Sequence, residues 1–376
     1  MLVANCPGTA GGASVIAMAS MNDDRRSPMA VPVPELLEDV LSPGWLTEAL
    51  GTRYPGIEVT AVSRGPEVSR VATSARFRIE CEGDLPAGLP AQLCAKGYYA
   101  AAGQMFRQAG EPEACFYRDV AGVSGVRTLR CVYADYDPRT RASVILSEDV
   151  VAQGATFLDA LSSYTPDQAA QSLAELAKLH AATWQSPSLA TAGWLAPRLE
   201  TYLKYRGEKD IRVNFEGPIG AGVPAALLDA RLLADTYRSL ARVTERAVPW
   251  SVIHGDPHVG NLFLDAAGRP SFLDWQLAQR GPWYLDVGYH VASALTVADR
   301  RGAERDLLRH YLSRLSAAGV DTPAWDEAWR GFRRGIVHGF YLWAITLKVD
   351  PAVTSVLLER LGTAASDHDA YAAVLD

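Results

Sequence analysis

The run His254-Gly255-Asp256-Pro257-His258-Val259-Gly260-Asn261, followed thirteen positions after Asn261 by Asp274 in Leu273-Asp274-Trp275-Gln276, is the part of this sequence best equipped for chemistry. Asp256 and Asn261 stand five apart in a loop. The apolar runs on either side of the turn Asp265-Ala266-Ala267-Gly268 predict a hairpin that returns Asp274 to the same mouth. Phosphoryl transfer needs such a set: a carboxylate to take the proton of the attacking hydroxyl, and an amide plus a second carboxylate to hold Mg²⁺ against the phosphates. The Asp-to-Asn spacing equals that of the kinase catalytic loop H-R-D-L-x-x-x-N. His254 is expected to buttress this loop by hydrogen bonding. Asp286, in Asp286-Val287-Gly288-Tyr289, is expected to begin a helix and tie the loop down as an N-cap or as a hydrogen-bond acceptor.

A cation for the α- and β-phosphates has to come from elsewhere. Lys96 closes the apolar run Ala91-Gln92-Leu93-Cys94-Ala95 and so predicts a lysine on a buried strand. Its partner is read as Glu113, because Glu113, Phe116, Tyr117 and Val120 recur at i, i+3, i+4 and i+7 on a helix over 112–120. An unpaired ammonium there would be costly to bury. Glu111 lies about 200° round that helix and is disfavoured. A solvent-facing lysine at a strand end is the alternative. A phosphate-covering loop is expected between the first two strands, over Arg64 to Ser74, but it holds a single glycine, so hydroxyls of Ser69, Thr73 or Ser74 would replace backbone amides. No G-x-x-x-x-G-K-[ST] occurs, which excludes an ordinary P-loop enzyme.

The elements that must position these groups follow from periodicity. Short β-rich runs at 57–63, 76–81, 92–96, 127–133 and 143–146, separated by Gly, Pro and Asp clusters, predict a five-stranded antiparallel sheet with one inserted helix. From about residue 155 the period becomes 3.6, with Thr165 as N-cap and Pro166 at N1 of a first helix. The expected class is α+β. It comprises a disordered tail over 1–32, a β-rich nucleotide-binding lobe over 33–147, and a helical lobe over 148–376 carrying the catalytic loop and substrate site. Leu146 to Val150 must link the lobes, so backbone groups near Ser147, Glu148 and Asp149 are expected to read an adenine edge.

Composition narrows the partners. A formal charge of −7, with no long Lys or Arg run, argues against a nucleic-acid or acidic-membrane surface and for a small ligand. The longest mainly apolar stretch, Ile336 to Leu347, is too short to span a bilayer. Arg25-Arg26 follows the apolar run Ser14 to Ser20 instead of preceding it, unlike a signal peptide. Five cysteines without C-x-x-C spacing read as reduced thiols of a cytoplasmic protein.

The loop, the hairpin and the Asp274 follow-on resemble the aminoglycoside phosphotransferase and choline kinase superfamily, whose loop commonly reads H-G-D-x-H-x-x-N. Leu273-Asp274-Trp275-Gln276 and Leu146-Ser147-Glu148-Asp149-Val150 look most like its ecdysteroid-kinase-like branch. The resemblance implies a protein-kinase-like two-lobe fold and a small-molecule kinase using ATP, or GTP, with Mg²⁺. It further implies Asp256 as catalytic base, Asn261 and Asp274 as metal ligands, and His258 near the γ-phosphate. The acceptor is expected to be a lipophilic or neutral hydroxyl compound, because 328–349 contains no carboxylate yet holds Trp329, Phe332, Phe340, Tyr341 and Trp343, with Trp325 just before it. Aminoglycosides and choline-like alcohols are the alternatives, and an inactive nucleotide-binding protein of the same fold is a further one. A metallophosphoesterase would need more His and Asp ligands than the seven scattered histidines supply.

Overall fold

A computed structural model describes residues 31–375, so nearly all of the expected tail, and Cys6 with it, lies outside the described residues. Strands β1 (Val59–Ser69), β2 (Thr73–Cys81), β3 (Gln92–Gly97), β4 (Cys131–Tyr136) and β5 (Ser143–Glu148) form one antiparallel sheet in the order β1-β2-β3-β5-β4. Each expected run overlaps one of its strands, although the fourth, expected over 127–133, is paired only from Cys131 to Tyr136. In β2 the alternation is strict: Thr73, Ala75, Phe77 and Ile79 face inward and the residues between them outward. Phe77 and Ile79 pack with Leu93, Ala95, Val144 and Leu146 against Leu46 and Leu50.

Two boundaries depart from expectation. The supposed phosphate-covering loop over 64–74 is mostly paired ladder, with Ser69 opposite Thr73 and only 70–72 left as the turn. β5 runs on through Glu148, because β3 and β4 flank it and take up its amides: Glu148 N–H donates to Arg130 O and Asp149 N–H to Gln92 O.

The inserted helix begins as α-helix over Gly110–Cys115 and widens to a π-turn over Phe116–Val120. Glu113, Phe116, Tyr117 and Val120 are all buried, as their spacing predicts. The extra residue in the turn was not predictable from a 3.6 period. It seats Phe116 flat on Trp275, with ring centroids 3.7 Å apart, a placement typical of π-bulges beside functional groups.

Beyond the sheet the chain is mainly helical. Thr165 caps the helix Pro166–Ala182 in a capping box with Gln168. Among these helices lie a ribbon of β7 (Ser251–Ile253) with β10 (Gln279–Gly281), and a hairpin of β8 (Leu262–Leu264) with β9 (Pro270–Phe272), joined at its edge by β6 (Thr156–Phe157). The helices Tyr284–Ala294 and Trp325–Ala344 meet backbone to backbone: a Cβ on Gly335 would lie 2.0 Å from Tyr284 O, and one on Gly288 would lie 2.1 Å from Phe332 O. Among the described residues no helix is long and apolar enough to cross a membrane.

Candidate active site

The His254–Asn261 loop leaves β7 and re-enters β8, so two short strands fix its ends. Gly255 turns the chain at φ +80°, where a side chain would sit 2.3 Å from Leu277 O, and only glycine fits. Asp286 then gathers the loop from below. Its carboxylate accepts from the N–H groups of His254 (2.7 Å) and Gly255 (2.9 Å) and pairs with His180 Nε2 at 3.1 Å. It is fully buried; burial works against its charge, but the bond and charge of His180, with His254 and the Gly255 N–H, together outweigh that and hold its pKa below the ordinary value. Trp283 caps its helix, so Asp286 is the expected acceptor and not an N-cap. His254 buttresses as expected: Nε2 donates to Leu273 O at 3.0 Å and Nδ1 accepts from Asp256 N–H at 3.3 Å.

Asp256 is thereby held in place, a quarter exposed. Its Oδ2 accepts from Asn261 Nδ2 at 3.2 Å, and the same amide nitrogen donates to Asp256 O at 2.8 Å. His258 Nε2 stands 3.7 Å from Oδ2, while its Nδ1 accepts from Gly260 N–H at 3.0 Å. Burial lowers the His258 pKa, against the pull of Asp256, and keeps the ring neutral near pH 7.

The second half of the site comes from the sheet. Lys96 Nζ lies 2.7 Å from Glu113 Oε2 and 3.0 Å from Asp274 Oδ1, which joins strand, helix and hairpin through one ammonium. Burial opposes its charge, but Asp274 and then Glu113 outweigh burial and raise its pKa. Burial likewise opposes ionisation of Asp274, and Lys96 reverses the balance. Asp274 reaches the lysine from a left-handed backbone at φ +64°, which Asp tolerates better than most side chains. Glu113 also accepts from the Trp275 backbone N–H, so the helix grips the residue next to Asp274. The solvent-facing alternative for Lys96 does not hold.

The remaining expected residues divide. Ser74 lies opposite Lys96 in the ladder and shares its face, whereas Ser69 pairs with Thr73 on the other face, its hydroxyl 3.0 Å from both Glu67 and Thr73. Strand alternation thus places Ser69 on the face opposite Lys96. Ser147 lies opposite Cys94, on the Lys96 face. Glu148 faces Arg130 N–H and Gln153, and Asp149 pairs with Arg76 at 2.7 Å. With the Glu148 and Asp149 amides already engaged, only carbonyls or later amides of this segment could read a base.

A family model described as phosphotransferase enzyme family matches residues 136–333, more than half of the chain. The chain belongs to the phosphotransferase enzyme family. No curated protein matches this phosphotransferase in sequence. Among solved structures it is similar to the choline kinase LicA from Streptococcus pneumoniae (15% identity, 86% of this chain and 98% of that one, TM-score 0.44). It is similar also to an aminoglycoside-3'-phosphotransferase of type VIII (18%, 79% and 98%, 0.41). A third is the macrolide 2'-phosphotransferase MphH from Brachybacterium faecium (15%, 85% and 98%, 0.42).

Three supports of the phosphotransferase loop carry no motif and escaped the sequence. Tyr289 O–H donates to Asp256 Oδ1 at 2.7 Å, His338 Nε2 contacts Gly255 O at 3.0 Å, and His290 Nδ1 contacts Pro257 O at 2.7 Å. Only the position of Tyr289 and His290, just past Asp286 on one helix, could have pointed to them. The aromatics expected to line an acceptor pocket are mostly core: Phe332, Phe340 and Tyr341 are fully buried, and Trp329 packs on Phe332 and His368. Of these aromatics only Trp343 reaches the site, through Tyr289 and edge-on against the His258 ring at 5.0 Å.

The buried histidines set an acid limit. Burial pushes His290 down from near 6.5 to about 4, and lowers His338 as well. The unfolded chain binds these protons first, so stability is complete above pH ~6.5 and falls toward pH ~4, by on the order of 3 kcal/mol for His290 alone. Carboxylates with depressed values, such as Asp286, contribute only at lower pH. Urea midpoints should therefore drop steadily between pH 7 and pH 5, and a flat midpoint would contradict this assignment.

Proposed function

We propose that this phosphotransferase is a small-molecule kinase that transfers the γ-phosphate of ATP to a hydroxyl acceptor, with Asp256 as the base. The observation that carries the reading is Lys96 bridging Glu113 and Asp274 across 178 residues, beside an Asp256 that Asn261 holds in place. A cation and three acidic or amide groups converge at one mouth, and this is the equipment phosphoryl transfer requires.

Lys96 neutralises charge on the phosphates, and Ser74 and Ser147 share its face of the sheet. Asn261 spends its amide hydrogens on Asp256, which leaves its Oδ1 without a partner among the described residues, and Asp274 gives Oδ1 to Lys96. Two such hard oxygen donors fit Mg²⁺: Asn261 and Asp274 would hold the ion, and it would neutralise the phosphate charge when bound. The acceptor oxygen forms the new P–O bond, the β,γ-bridging bond breaks, and the acceptor proton passes to Asp256. His258, neutral beside Asp256, is placed to donate to the transferring group. Within the family, Leu273-Asp274-Trp275-Gln276 favours the ecdysteroid-kinase-like branch, and the lobe boundary is placed just past β5. The aromatics that favoured a lipophilic acceptor belong to the core, so the acceptor is proposed as a hydroxyl compound without finer class.

Two measurements test this reading. ATP with Mg²⁺ should raise the melting temperature, since a ligand that binds only the folded state stabilises it by mass action. ADP release should then appear with at least one member of a panel of apolar alcohols, macrolides, choline-type alcohols and aminoglycosides. Stabilisation without turnover across the panel would favour an inactive nucleotide-binding protein, and neither effect would sink the proposal.

A further inference from the structure

Both oxygens of the Asp256 carboxylate are engaged, and the two contacts differ in kind. Oδ2 has only the long 3.2 Å contact from Asn261 and stands 3.7 Å from His258 Nε2. Oδ1 takes a short 2.7 Å bond from Tyr289 O–H, and Tyr289 in turn accepts from Trp343 Nε1 at 2.7 Å. Tyr289 is fully buried and Trp343 nearly so, which removes water as a competing partner.

An indole N–H can only donate. Trp343 therefore fills a lone pair of the Tyr289 oxygen, and the single hydroxyl hydrogen is left for Asp256. Tyr289 keeps that hydrogen, because burial and then Asp256 hold its pKa well above the ordinary value. The direction of the chain is fixed by chemistry: indole to phenol to carboxylate.

We propose that Tyr289 is a positioning residue for Asp256: its hydroxyl, oriented by the donor-only indole of Trp343, pins Oδ1 so that Oδ2 is presented to the acceptor hydroxyl. The inference rests on Asp256 being the base. Tyr289 stands in the first turns of the Tyr284–Ala294 helix, three residues beyond the Asp286 that carries the loop backbone. One rigid helix thus fixes both the loop and the rotamer of its carboxylate. Trp343 comes from the Trp325–Ala344 helix, locked to the first at Gly288 and Gly335.

Tyr289→Phe should lower kcat tenfold or more while KM for ATP and acceptor stay within about threefold, since a bond to a charged group is worth roughly 1.5–3 kcal/mol and acts here on the reacting atom alone. In an Asp256→Asn background the same change should alter the residual rate by less than about twofold, because the oxygen it positions no longer accepts a proton. Trp343→Phe keeps the phenol and frees its hydroxyl to rotate, so a several-fold loss in kcat at constant KM is expected even should Tyr289→Phe fold poorly. An unchanged kcat in both variants, a loss confined to KM, or an equal loss with and without the Asp256 carboxylate would each overturn the proposal. Full turnover by Asp256→Asn alone would instead remove the base assignment on which it stands.

Discussion

Asp256→Asn should fold, bind ATP with unchanged affinity and lose turnover by ~10²–10⁴, the contribution of a positioned general base. The substitution is nearly isosteric, and the groups around Asp256 can absorb it. Asn261 already donates to the backbone carbonyl of residue 256, and an amide oxygen at position 256 can still accept from Tyr289, so only the long 3.2 Å contact from Asn261 to Oδ2 is lost. What the amide cannot do is take a proton from an acceptor hydroxyl. Calorimetric titration with ATP, a thermal melt and a single-turnover assay separate the three quantities. Wild-type kcat in a folded, nucleotide-binding variant would remove Asp256 from the role of base.

The second large effect concerns the ion-paired cation. Asp274→Ala and Asn261→Ala should shift the magnesium dependence of turnover to higher concentration, whereas Lys96 touches no metal and its loss should weaken ATP binding or kcat at every magnesium level. Lys96→Ala carries a second cost, because it strands Glu113, which is 2% exposed, without its counter-ion. Removing one partner of a buried pair costs roughly 3–5 kcal/mol. Adding Glu113→Gln to Lys96→Ala should restore most of the lost stability and none of the lost activity. Magnesium titrations that overlay for Asp274→Ala and wild type, or recovery of activity in the double variant, would disprove this division of labour.

How much of this was legible depends on the range over which each signal acts. Local signals carried far: a period of two placed the strands, the i, i+3, i+4, i+7 set turned Glu113 inward, and Thr165-Pro166 marked a helix start. The Lys96–Glu113 pair followed from cost alone, since a buried ammonium demands a carboxylate. The face on which Ser69 lies was not legible, because a glycine-poor stretch reads as an irregular loop and only the ladder register shows that it pairs with Thr73. The aromatics near 340 misled for a related reason. Helical spacing says that Phe340 and Tyr341 are buried, but not whether the partner is a ligand or, as for Tyr341, the ring of Tyr237 at 3.6 Å. Tyr289 and His338 serve the loop by contacts across 33 and 83 residues, and no single-chain pattern encodes those.

Thr128 sits at a crossing of three bonds. Its hydroxyl is 3.1 Å from Tyr117 Oη, donates to Phe272 O at 2.8 Å and accepts from Trp275 Nε1 at 2.9 Å. Tyr117 belongs to the helix that carries Glu113, while Phe272 and Trp275 flank Asp274. Mechanically this is a rivet between the lysine's support and the carboxylate it meets. Shear between the two would have to break a buried hydroxyl network along with the Phe116–Trp275 stack. The rivet therefore resists any change in spacing between the Glu113 helix and the Asp274 segment, so that displacing one carries the other with it.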